Sequence, residues 1–134
     1  MTASSRVTNP LAWLRRTCSA FPGIEEVIAW GHPNFRVAGH TIASFEPYRG
    51  RPSIAVWATL ERQEFLVDHF GFFKSPYVGH RGWVSVWVDA SFPKAVVRSL
   101  LADAHACAIA KPRRSSSSNR KTASVNKAAG RRRP

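Results

Sequence analysis

Between Asn34 and Phe45 the chain reads NFRVAGHTIASF. Two β-prone runs, NFRVA and TIASF, flank Gly39-His40, and glycine tolerates the positive φ that a two-residue hairpin connection demands. The spacing predicts an antiparallel pair turning at Gly39-His40, with Arg36 pointing away from the face that carries Phe35 and Val37. EEVIAW at Glu25–Trp30 reads as a short strand before this pair. SIAVWAT at Ser53–Thr59 reads as one after it, with PYRGRP (Pro47–Pro52) as the loop between. WVSVWVD is the clearest strand: Trp83, Ser85 and Trp87 alternate with Val84, Val86 and Val88.

Helices frame these strands. Asn9 is an N-cap and Pro10 suits a first helical position, so a helix starts there, with Leu11, Leu14 and Cys18 on its inner face and FPG (Phe21–Gly23) as its stop. LERQEFLVDHF reads as a second helix with Phe65, Leu66, Val67 and Phe70 inward. Ser91 is the expected cap of a third, whose stripe is Phe92, Val96, Val97, Leu100, Leu101, Ala104 and Ala108. The order α-β-β-β-β-α-β-α, with short turns between strands, predicts a single α+β domain: a mostly antiparallel sheet with helices packed on one face.

The chain has 134 residues, enough for one core without staples. Its net charge of +12 is unevenly distributed. Nine of the 20 basic residues stand at or beyond Lys111, among them Arg113, Arg114, Arg120, Lys121, Arg131, Arg132 and Arg133, with no acidic residue. Residues 1–110 keep 11 basic against 8 acidic groups. The segment 111–134 combines a serine run with like charges and no aromatic residue, so it is expected to be a disordered basic tail that attracts polyanions through counterion release. Cys18 and Cys107 lack ligand spacing and read as buried thiols in a reducing compartment. No signal-peptide pattern and no apolar run near the ~18 residues of a membrane helix is found, which points to a cytoplasmic protein, expected to be a monomer with no membrane partner.

Catalytic signatures are lacking. There is no GxSxG, no phosphate loop and no HExxH, and His32, His40, His69, His80 and His105 are scattered. His32 and His40 flank one hairpin and were they to meet would still want a third ligand. No metal and no cofactor is expected, and a binding surface is favoured over an active site. Its candidates are loop cations and aromatics: Arg36, His40, Arg49, Arg51, Lys74, Tyr77, His80 and Arg81, groups that grip phosphates or stack on bases. Trp30, Trp57, Trp83 and Trp87 read as core or sheet-covering residues. The last helix carries only Lys94 and Arg98 early, a poor major-groove reader.

The run AWGHPNFRVAGHTIASF (Ala29–Phe45), an apolar strand, a helix, then SPYVGHRGWVSVWV (Ser75–Val88) and a closing helix resembles the MmcQ/YjbR family. The resemblance spans about residues 10–110, and its most specific pieces are WGHPNFRVAG and YVGHRGWV. It implies a fold similar to the CyaY-like domain and DNA binding in a double-wing arrangement. Where many members have lysine after the hairpin glycine, this chain has His40. On this reading the loop cations contact DNA phosphates and the tail adds nonspecific affinity. The alternative is a small-molecule or protein-binding module in which the Tyr77–Arg81 loop forms an anionic-ligand pocket.

Overall fold

The computed structural model describes residues 9–76 and 78–112; Tyr77 and the basic segment from Arg113 onward lie outside the described residues. The elements run α1 (Pro10–Cys18), β1 (Glu25–Ala29), β2 (His32–Val37), β3 (His40–Tyr48), β4 (Arg51–Trp57), α2 (Leu60–Phe70), β5 (Phe73–Lys74), a 3-10 turn (Gly79–Arg81), β6 (Trp83–Trp87) and α3 (Lys94–Ala110). The strands form one antiparallel sheet in the order β1-β2-β3-β4-β6-β5. This is the predicted α+β arrangement, with one short strand, β5, in a segment that reads as loop.

β1 to β4 are joined by three tight hairpins, at Trp30-Gly31, Ala38-Gly39 and Arg49-Gly50. Both residues of each pair have positive φ (57° and 79°, 52° and 79°, 55° and 78°), the pattern whose twist matches paired strands. The β2–β3 turn therefore lies one residue before the expected Gly39-His40, and His40 opens β3. The supposed loop Pro47–Pro52 is almost all strand, because β3 runs through Tyr48 and β4 resumes at Arg51. His32 and His40 stand at opposite ends of β2 and β3, not together: His32 pairs with Ala29, and His40 with Val37.

All three helices cover one face. Phe35, Ala43, Ile54, Val56, Val84 and Val86 point into a core completed by Leu14, Cys18, Leu66, Val97, Leu100 and Leu101. Asn9 caps α1 as expected, its Oδ1 accepting from the Ala12 N–H at 3.0 Å. α3 begins at Lys94 without a side-chain cap, so Ser91 does not serve as one. On α2 the buried residues are Gln63 and Leu66, while Phe65 is 56% exposed and Phe70 also faces outward. The apolar periodicity of that helix misplaced its inner face because a glutamine occupies it. Trp30 is 96% exposed at its hairpin tip and belongs to no core. Among the described residues no helix is long and apolar enough to cross a membrane.

The cysteines divide. Cys18 is buried, and burial pushes its thiol up to about 12, whereas Cys107 is exposed on α3, contrary to the expectation that both are buried. A thiol reagent at pH 8 is expected to label Cys107 within seconds to minutes and Cys18 only on unfolding, because the thiolate is the reactive species. Mass spectrometry of the labelled native protein checks this; equal labelling of both would contradict it.

Candidate binding trough on the uncovered sheet face

Strand pairing brings five side chains into one row across the face opposite the core: Asn34, Ser44, Ala55, Ser85 and Phe73. The next row toward the Arg49-Gly50 turn is Glu46, Ser53 and Trp87, and the row on the other side holds Trp57 beside Trp83. The small middle residues make a floor and the aromatics make walls. The result is a trough of about 1030 Å³, whose lining also takes in Ala104, Cys107 and Ala108 from the end of α3.

Its floor is polar and buried. The hydroxyls of Ser75 and Ser85, 5% and 2% exposed, lie 2.8 Å apart. Ser44 donates to a Glu46 carboxylate oxygen at 3.0 Å, and Ser53 donates to the Glu46 carbonyl at 2.8 Å. Tyr48 lines one side and stacks with Phe73 and Trp87 behind it, with ring centroids 4.6 to 5.9 Å apart. At the other end the Trp57 indole donates to the Arg81 carbonyl at 3.0 Å.

The sequence-level candidates separate into two groups. Around the Trp57 end lie Arg36, whose Nε donates to Thr41 Oγ1 at 3.2 Å, and His40, whose Nε2 meets the Pro112 carbonyl at 2.9 Å. Arg81 lines the same end, and the 3-10 turn that carries it exposes His80. Lys74 is exposed on β5. Arg49 and Arg51 sit at the far end of β3 and β4, roughly 25 Å along the sheet at about 3.3 Å per residue. Arg51 is already committed. It grips Asp89 with two hydrogen bonds of 2.8 and 3.0 Å, which raise its pKa, and it lies 4.2 Å over the Trp87 ring. Arg49 covers Tyr48 at 5.2 Å.

Sequence reasoning missed Glu46, the floor serines and the local role of Lys111. The Lys111 ammonium lies 5.1 Å over Trp57, so the last described residues, Lys111 and Pro112, stand at the cationic end of the trough. The available sign was a hydroxyl at successive outward strand positions, Ser44, Ser53 and Ser85, opposite the valine and isoleucine face.

The 3-10 turn that carries Arg81 is pinned from beneath. Gln63 on α2 is buried and donates to the carbonyls of Gly79 and Trp83 at 2.7 and 2.9 Å. The Gly82 carbonyl accepts from both Ala58 and Thr59 N–H groups at 2.9 and 3.2 Å. Thr59 has φ 129°, a conformation that non-glycine residues hold only when their surroundings fix it, and its Oγ1 caps α2.

This architecture has relatives. The YjbR family model matches residues 19–107, most of the described domain. The chain belongs to the YjbR family. Among solved structures, a Deinococcus radiodurans protein with a DUF419 domain is similar at 18% identity and a TM-score of 0.66, over 82% of this chain and 83% of that one. A Pseudomonas syringae protein is similar at 13% identity and a TM-score of 0.62, over 75% of this chain and 99% of that one. At these identities the likeness speaks for the fold alone. No curated protein matches the chain.

Proposed function

We propose that this YjbR domain binds DNA, through phosphate contacts at the cationic end of the trough and with a single strand as the preferred form. The observation that carries the reading is the convergence of Arg81, Lys111 and His40 on a concave surface walled by Trp57 and Trp83. Cations supply base-independent attraction, and exposed aromatic faces supply stacking for unpaired bases. A duplex keeps its bases stacked inward, so it meets only the rim. Carboxylates that would repel a phosphate lie mainly elsewhere: Glu61, Glu64 and Asp68 are on α2, behind the sheet. Lys111, the first of nine basic residues in the C-terminal segment, lines the trough, and the segment's cations add affinity without sequence preference.

The test is a binding titration of a fluorescent thymidine strand across a salt series, on the full chain and on a chain ending at Pro112. The shortened chain is expected to bind, with log K falling by about 0.7 per log unit of salt for each phosphate neutralised. Arg81→Ala is expected to reduce that slope by about 0.7, one phosphate contact. Binding that disappears with residues 113–134 would leave the domain without this role.

A second reading is favoured by the concavity. A volume of about 1030 Å³ is near the upper end of ordinary small-ligand pockets, roughly 300–1,000 Å³. On that reading the trough takes a small organic anion, and the salt slope of the shortened chain is near zero.

A further inference from the structure

Glu46 is out of place in a phosphate-binding surface. It lines the trough, it is partly buried, and among the described residues no cation pairs with it. Its position is fixed twice, by the Ser44 hydroxyl on its carboxylate and by the Ser53 hydroxyl on its carbonyl. A carboxylate held there repels a phosphate and attracts a neutral group rich in N–H donors. The floor beside it is also unfilled. Of the two buried hydroxyl hydrogens of Ser75 and Ser85, one makes the bond between them, and the other has no acceptor among the described residues. The site therefore offers acceptors at Glu46, a spare hydroxyl donor on the floor, and flat aromatic walls.

We infer that Glu46 reads the donor edge of a base lying in the trough, and that this makes the domain selective for guanine over thymine. The inference rests on the nucleic-acid reading above. Its chemistry follows from the Watson–Crick edges, which a single strand leaves free. Guanine presents two adjacent donors, N1–H and N2–H, to the two oxygens of one carboxylate. Cytosine and adenine present one amino donor beside a ring nitrogen that repels the second oxygen. Thymine presents a single N–H between two carbonyls, both repelled. The expected order is guanine first, cytosine and adenine intermediate, thymine last. Carboxylates are established acceptors for base amino groups, and a well-formed base contact discriminates by about tenfold or more. The cationic end is some four residues along β4 from Ser53, the neighbour of Glu46, or roughly 13 Å. That leaves room for the sugar and phosphate of the same or the next nucleotide.

The experiment uses the full chain and two fluorescent strands of equal length, one all thymidine and one with guanines at its central positions. The base-blind contribution of the tail cancels in the ratio of affinities at one salt concentration. The native protein is expected to prefer the guanine strand by about tenfold. Glu46→Gln keeps the size of the side chain and can keep its bond with Ser44, but puts a donor where guanine needs an acceptor. It is expected to bring the preference within about twofold, with the salt slope unchanged. Equal affinity of the native protein for both strands overturns the inference and leaves the DNA reading intact, as does a preference that survives in Glu46→Gln. Failure of both strands to bind overturns the DNA reading and the inference with it.

Discussion

Gly82→Ala is expected to destabilise the domain by about 3 kcal/mol or more, lowering its melting temperature by upwards of roughly 10 °C. A Cβ at this position would stand 2.7 Å from two backbone atoms of Thr59 and 2.9 Å from the Leu60 nitrogen, at a φ of +94° that side chains rarely adopt. The obstruction is backbone, so no rotamer change relieves it. Nor can the backbone retreat cheaply, since the Gly82 carbonyl holds the N–H groups of Ala58 and Thr59. Gly50→Ala is the control. Gly50 has a φ of +78° with open space around its missing Cβ, so its replacement is expected to cost only about 1–2 kcal/mol, the left-handed penalty alone. Chemical denaturation of both variants measures the contrast. Equal losses would mean that the β4–α2 corner yields easily.

Gln63→Leu is expected to cost about 2 kcal/mol. Leucine fills the same volume but removes donors from the Gly79 and Trp83 carbonyls. Each carbonyl keeps one other partner, Gly82 N–H and Ser75 N–H respectively, so neither is orphaned. Gln63→Glu is expected to be worse at neutral pH. An ionised carboxylate would face two carbonyl oxygens in a buried site, which raises its pKa in the fold above the unfolded value near ~4.3. Protonation is then favoured by folding, so the stability of this variant is retained below that value and lost as pH rises through the raised one. Unfolding curves at pH 4 and pH 7 separate the two substitutions: the gap between Glu and Leu should widen with pH. A glutamate variant as stable as the native protein at pH 7 would show that water reaches Gln63.

The alternation of Trp83–Val88 and the cap at Asn9 were legible because each is a local signal, a period of two or a side chain bonding three residues ahead. The hairpins were legible only as glycines. In each the glycine is the second turn residue, and the first is Trp30, Ala38 or Arg49, none of which favours positive φ by itself. Pairing overrides that preference, so sequence reading places one turn a residue late, at Gly39-His40, and draws the Arg49-Gly50 turn too wide, as the loop Pro47–Pro52. The trough was not legible. It requires β6 to lie beside β4 across α2 and β5, and that placement alone sets Ser85 next to Ala55 and Ser44. For the same reason Arg36 and Arg51, near in sequence, proved to be at opposite ends, while Lys111 came to rest over Trp57.

The three tight turns bear on the order in which the chain assembles. Connections of two residues close almost without entropic penalty, so β1 to β4 can zip as a meander from local encounters. β6 has no such shortcut. Its pairing with β4 must close a loop that spans α2, β5 and the 3-10 turn, and it contributes the Trp83 wall and the Ser85 hydroxyl. The late arrival in folding is thus the strand that finishes the trough, and a chain halted at the meander would be half-built at the surface it needs for binding.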